Sequence, residues 1–486
     1  MQKIKRDKNF TEKLYRIVFT ILLISLLNPN TSCPQQIQLV DTAAQSQAKV
    51  LSLNDCIKIA LENNHKIKAS EQGVNIADAR KKQAESGYWP QLSAKAAYTL
   101  MDQDPLFILP GFKINLPSIS FLGMDVNIGN FNVPQQNVKL MDKQNINAGV
   151  ELTYPIYTGG KVQALNTEAE NGIEIAKQDF RKNNLQVEYD VKRFFYAAVL
   201  AKKIYKISTE ALERLEMTLS LTENMYKNGS GKTTKLDYLK NKVIVDQVRT
   251  IVNEFKNNVG LSKDALAFTL GTHDKFEVPD VEIPFNNDSL KIEMLLKKAY
   301  NNNPEYAQAN AAELVFKAKT EEAFSGYLPN IALIGSFNQN FNSYKYGVVN
   351  KENSTMWMIG VGAEIPIFNG FRTANEVGEA EARLKELIEN KNLLHDAIAL
   401  QIKAAFSKVE TSSENVKNTF EAKTTAAENR SLNERAFKQE MAEAKDLVEA
   451  QIMESLMNIQ YQKALYDHLE AESNLELLTG SNFIKN

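Results

Sequence analysis

The sequence predicts a mainly α protein with a β-barrel part, in which one unit of long coiled-coil helices and β-hairpins is written twice. Three observations carry the prediction. Motifs recur in one order: Ser86-Gly87-Tyr88-Trp89-Pro90 returns as Ser325-Gly326-Tyr327-Leu328-Pro329, Pro155-Ile156-Tyr157-Thr158-Gly159 returns as Pro366-Ile367-Phe368-Asn369-Gly370, and Leu270-Gly271 returns as Thr479-Gly480. Segments free of Pro carry apolar residues at steps of three and four, which is the helical period. Between the motifs the period changes to two, as in a strand with one apolar face.

The elements follow in chain order. Residues 1–16 hold Lys3, Lys5, Arg6, Lys8, Lys13 and Arg16, and an apolar run from Ile17 to Leu27 comes next. Basic then apolar, and too short to span a bilayer as a helix, this is the order of a secretory signal. Residues 1–44 are therefore expected to be a signal peptide and N-terminal extension, with Cys33 in Thr31-Ser32-Cys33 a position for lipid attachment. Residues 45–271 form the first repeat, 272–288 the linker (with Pro279 and Pro284), 289–480 the second repeat and 481–486 a tail. The motif offsets are 239, 211 and 209, so the first copy has 28 extra residues between its first two motifs. These lie in the Pro- and Phe-rich stretch 104–140, expected to be a long outer loop.

Helices are placed by what is missing. No Pro occurs from 156 to 278 or from 367 to 486. Gly160–Lys227 and Phe371–Lys438 each count 68 residues, and Leu384, Leu387, Leu394, Ile398, Ile402 and Val409 keep the helical step in the second. At 1.5 Å per residue such helices reach about 100 Å. Each needs a partner along that length. The segments 54–86 with 237–270, and 289–325 with 446–479, are long enough to stack end to end and run antiparallel to them. The expected turns are Asn228–Gly231 and Gln439–Lys445.

Strands are expected where Leu92, Ala94, Ala96, Tyr98 and Leu100 alternate with polar residues, and again at Ile146–Ile156, Ile331–Phe337 and Trp357–Ile367. Eleven residues at 45° tilt cover roughly 25 Å, the height of an outer-membrane barrel's apolar band. Four strands cannot close a barrel, and an open edge in lipid leaves backbone groups unpaired. Either several chains share one barrel, or the strands lie outside the membrane.

Composition excludes other classes. A net charge of −2 from 57 basic and 59 acidic residues offers no field for nucleic acid. Two Cys exclude a disulfide framework, and the four His lie apart without metal-ligand spacing. Gly231-Lys232-Thr233 ends like a phosphate-binding loop but has Tyr226 where a Gly is needed and a helix before it. No nucleophile, base and orienter can be named, so no enzyme, cofactor or metal is expected.

On the paired Pro-Ile-Tyr-Thr-Gly-Gly and Pro-Ile-Phe-Asn-Gly motifs, and the paired Gly-Tyr-x-Pro at 87–90 and 326–329, the chain resembles the TolC-like outer membrane factor family over about 50–480. The resemblance implies a homotrimer with a shared 12-stranded barrel in outer-membrane lipid and an α-helical barrel in the periplasm. It implies a passive duct for small molecules or exported proteins, working with a periplasmic adaptor and an inner-membrane pump. It marks Pro155, Gly159, Gly160, Pro366 and Gly370 as strand–helix junctions. It also marks Asp446 and Glu449, with Asp237 in the first copy, as acids around the periplasmic aperture. The positions of the Tyr and Arg that latch a closed tip in the best-known members hold Phe437 and Ala442 here, so that latch is not carried over. The competing reading is a periplasmic coiled-coil spacer or adaptor that never enters the membrane.

Overall fold

The computed structural model describes residues 49–116, 118–126, 129–140, 142–228, 233–286, 291–341, 354–439 and 441–481. The signal segment with Cys33, the turn residues 229–232, the end of the linker and the last residues of the tail lie outside these. The chain divides into two units, 1–49 and 50–486, and the second is described below.

Its order of elements repeats. In the first copy, α1 (Leu53–Asn63) and α2 (His65–Glu85) lead through a 3-10 turn at Ser86–Tyr88 into β1 (Gln91–Leu100). After the insertion, β8 (Gln144–Thr158) runs into the long helix α3 (Lys161–Lys227), and α4 (Lys235–Leu270) returns. In the second copy, α5 (Ile292–Asn302), α6 (Pro304–Phe324), a turn at Ser325–Tyr327, β9 (Asn330–Asn340), β10 (Thr355–Glu364), α7 (Arg372–Lys438) and α8 (Ala444–Thr479) follow the same plan. The two long helices have 67 residues each and the two returning helices 36 each.

The sheet order is β10–β9–β8–β1, all antiparallel. The helices that continue those strands pack in the same order, α7–α6–α3–α2, so each strand prolongs one helical strut. Nearer the turns, α4 lies on α3, while α8 lies on both α7 and α3. The end-to-end stacking expected from lengths is present: the start of α2 abuts the end of α4, and both run antiparallel to α3.

One expectation needs correction. Within the expected single helices 54–86 and 289–325, the described residues form two helices each, broken at Asn64 and Asn303, where ψ is 126 and 121. Each Asn ends one helix and caps the next. The Asn64 side chain accepts from Lys66 N–H and donates to the Thr269 carbonyl at 2.8 Å. Asn303 accepts from Glu305 N–H and donates to the Leu478 carbonyl at 3.1 Å. The docked ends are glycine-dependent. A Cβ on Gly271 would stand 2.8 Å from the Asn63 carbonyl oxygen, and one on Gly480 would stand 2.4 Å from that of Asn302. Both glycines also sit in the left-handed region, where a side chain is strained.

The segment 104–140 is not an irregular loop either. It extends β1 and β8 as a ribbon of three two-stranded ladders: β2 (Leu106–Leu109) with β7 (Gln136–Lys139), β3 (Phe112–Asn115) with β6 (Asn130–Val133), and β4 (Ile119–Phe121) with β5 (Met124–Val126). The linker is packed rather than loose. Phe276, Val278 and Ile283 join Val187, Val191, Phe195, Leu266 and Leu270 in the main core, and Cys56 is buried there too. Burial, with Asp55 beside it, pushes the Cys56 thiol up to about 11, which suits a packing role and not a reactive one.

Candidate functional site: the sheet face and the turn pair

The register puts the strand alternation on one face. Leu92, Ala94, Ala96 and Tyr98 stand opposite Leu152, Val150, Ala148 and Ile146. Tyr154, Leu152 and Val150 stand opposite Leu333, Gly335 and Phe337. Those three in turn oppose Val361, Ile359 and Trp357. Every one of these residues is apolar or Gly, although four strands and both copies contribute. The reverse face carries Ser93, Lys95, Asn145, Asn147, Glu151, Ser336 and Asn338, with Lys95 and Glu151 paired at 2.5 Å, and also Ile334, Met356 and Met358. Among the described residues the apolar face has no cover: Trp357 is 73% exposed and Val361 66%. Trp89, just before β1, is exposed as well. The strand β10 stops at Glu364, so Ile365 and Ile367 belong to the crossing into the helix and not to the expected strand.

The junction residues shape that crossing. Pro155 has no N–H to donate, and β8 bulges beside it: Ile331 pairs with Tyr157 and Ala332 with Pro155, leaving Ile156 extra. Gly159 and Gly160 have φ of +63° and +87°; Gly370 and Phe371 repeat this at +66° and +63°. Two successive left-handed residues thus turn each strand into its long helix. Pro366 lies just past the end of β10. The paired Ser-Gly-Tyr turns dock against those helices. A Cβ on Gly87 would meet Val162 at 3.0 Å, and one on Gly326 would meet Thr373 at 3.0 Å.

At the other end, the two helix turns meet. Met225, Thr233, Asp237, Phe437, Met441, Ala442, Glu443, Ala444 and Asp446 line one pocket of about 370 Å³. Asp237 accepts from the Thr234 hydroxyl at 2.7 Å and the Thr234 N–H at 3.0 Å, closing a capping box at the start of α4. Those bonds, with Lys240 and Lys445 near, hold its carboxyl below the usual range. Asp446 accepts the Glu443 N–H at 3.2 Å, and Lys445 pairs with Glu443 at 2.9 Å. The structure therefore brings Asp237 and Asp446 together in one pocket as helix-start carboxylates. Glu449, one turn on, is exposed and outside that pocket. Phe437 is buried with Ala444 and Leu447, with Met225 against it.

Sequence reasoning missed Asn64 and Asn303. The signal was present in the second copy, where Asn303 precedes Pro304: a residue before Pro avoids helical backbone, and Pro suits the first helical position.

A sheet with one apolar and one polar face, its strands running into long helical struts, defines a class: a strand-and-strut protein built from a tandem repeat. The model of the outer membrane efflux protein family matches residues 56–272 and 295–481, and the chain belongs to that family. The family is one of efflux proteins, not of enzymes. Among curated relatives, the chain is 24% identical over 257 residues to the probable outer membrane lipoprotein SilC of Salmonella typhimurium, covering 51% of this chain and 53% of that protein. It is 21% identical over 252 residues to the cation efflux system protein CusC of Escherichia coli, with the same coverage. The chain thus spans about half the length of the curated relatives it matches. Among solved structures, a membrane protein from Pseudomonas aeruginosa superposes with a TM-score of 0.71 at 17% identity, covering 89% of this chain and 94% of that one. That likeness is one of fold. Among the described residues, no helix is long and apolar enough to cross a membrane.

Proposed function

We propose that the chain is the outer-membrane channel subunit of an efflux or type I secretion assembly. Three copies join their open edges, β1 of one to β10 of the next, into a 12-stranded barrel whose apolar face meets lipid and whose polar face lines a duct. The struts continue that duct into the periplasm, where a periplasmic adaptor and an inner-membrane pump engage it. Residues 45–271 and 289–480 are its two repeats and 1–44 its export segment, with Cys33 a lipid attachment point in keeping with the lipoprotein description of SilC. Asp446, Glu449 and Asp237 form acidic rings around the inner aperture, and small molecules or exported proteins pass through without chemistry. A periplasmic spacer has no use for a four-stranded face of apolar side chains open to its surroundings.

The observation that carries the proposal is that face: four strands from both repeats, with a continuous apolar stretch from Tyr98 to Trp357 on one side and most of the polar side chains on the other, and with both edges unpaired among the described residues. An open edge is excluded from lipid, so closure requires further copies. The test compares two arginines. Val361→Arg lies on the apolar face and should cost about 2–4 kcal/mol of membrane assembly near the midplane. Gly360→Arg lies on the polar face with open space around it, and should assemble normally. Equal recovery of both variants from outer membranes would refute the lipid-facing assignment.

A further inference from the structure

His468 on α8 is 1% exposed and held from three sides. Its Nε2 lies 3.0 Å from the Asn286 carbonyl oxygen at the end of the linker. A carbonyl only accepts, so Nε2 carries a hydrogen. Its Nδ1 lies 2.9 Å from the Ser412 hydroxyl on α7. That hydroxyl also lies 2.9 Å from the Val409 carbonyl: with its hydrogen on that carbonyl, Nδ1 donates to it, and with its hydrogen turned to the ring, Nδ1 accepts. In the first arrangement both nitrogens donate and the ring is an imidazolium, the form that a nearby carboxylate favours. The counter-charge is in place: Glu472, one turn along α8, stands 3.4 Å from Nε2 with its side chain 11% exposed.

The other elements packed on the ring are neutral at the contact. The helix α7 presents Ser412 and the Val409 carbonyl, and the linker presents the Asn286 carbonyl and the Phe285 ring at 5.0 Å. Within ion-pair distance, Glu472 is the charged group among the described residues.

We propose that His468 is a protonated clasp that fastens the linker between the repeats onto the α7–α8 pair, and that the clasp loosens as pH rises. Loss of one proton removes a donor and cancels the attraction to Glu472 together. Burial alone favours the neutral ring, but Glu472 and the two carbonyls outweigh it, and the net direction of the pKa is up. The sign follows. A folded-state pKa above the unfolded value gives stability that is complete below the unfolded pKa and lost as pH rises through the folded one. The linker threads Phe276, Val278 and Ile283 into the main core, so loosening at Asn286 bears on the seam between the two repeats.

The experiment uses the full chain in detergent. Deuterium exchange at the imidazole C2 position, read by mass spectrometry from pH 5 to 9, titrates His468 directly, and backbone exchange of 276–286 is followed in the same samples. The expected result is a His468 midpoint above the ordinary histidine range and loss of linker protection across that midpoint. Glu472→Gln should move the midpoint down, and His468→Gln should abolish the pH step. A His468 midpoint at or below the ordinary range overturns the proposal, as does linker protection that stays flat with pH. If His468→Gln fails to fold, the wild-type titration decides alone.

Discussion

The same helices run through two differently built regions. Around the middle, α3 meets α1, α4 and the linker through Val187, Val191, Phe195, Val199, Leu266 and Leu270, an apolar core. Towards the turns, the apolar clusters are small: Leu215, Val245 and Val448 join α3, α4 and α8, and Phe437 packs with Ala444 and Leu447. Between them lie Thr218, Thr222, Asn241, Gln451 and Ser455, all buried. Gln451 donates to the Thr218 hydroxyl at 3.1 Å, and Asn241 donates to that of Thr222 at 3.3 Å. Apolar burial is non-directional and supplies most of the stability. Hydrogen bonds contribute modestly in net terms but cost much when broken. The middle is therefore where the helices are held together, and the turn end is where their register is fixed.

The largest expected effect tests the middle. Ile402 of α7 is 0% exposed among Leu295, Ile398 and Leu475. Ile402→Ala should cost about 2–5 kcal/mol, read as a lowered midpoint of thermal unfolding.

A smaller effect sharpens the contrast. Thr222→Ala leaves the buried Asn241 amide without its acceptor and should cost about 1–3 kcal/mol. Thr222→Val with Asn241→Leu removes both partners and should be near neutral. If the double variant is as damaged as the single, the turn-end core depends on its polar layer for stability and the contrast fails.

The smallest effect lies at the caps. Asp237 is depressed in pKa by Thr234, so its contribution is present above the unfolded carboxylate pKa and lost as pH falls through the lower folded value. Asp237→Asn should cost about 0.3–1 kcal/mol, because its carboxylate is only partly buried. Backbone exchange of the first turn of α4 should then lose its acid dependence.

What was legible from the sequence follows the same physics. Local signals announced themselves: the absence of Pro gave both long helices within a residue, and period-two patterning gave the apolar face that the register later placed on one side. Features fixed by distant partners did not. Asn64 is extended because its amide reaches Thr269, 205 residues away, and no neighbouring Pro marks the break. The ribbon at 104–140 reads as loop because its ladders are only three or four residues long. At the turn pair, the acids Asp237 and Asp446 were found by pattern, but their service as capping carboxylates in one pocket needed coordinates.

The central claim is a barrel shared between chains. Native mass measurement of protein extracted from purified outer membranes tests it most directly. The account predicts three chains per particle, with disulfide bridges forming between cysteines introduced on β1 of one copy and β10 of another. A single-chain particle recovered from the soluble periplasmic fraction would contradict it.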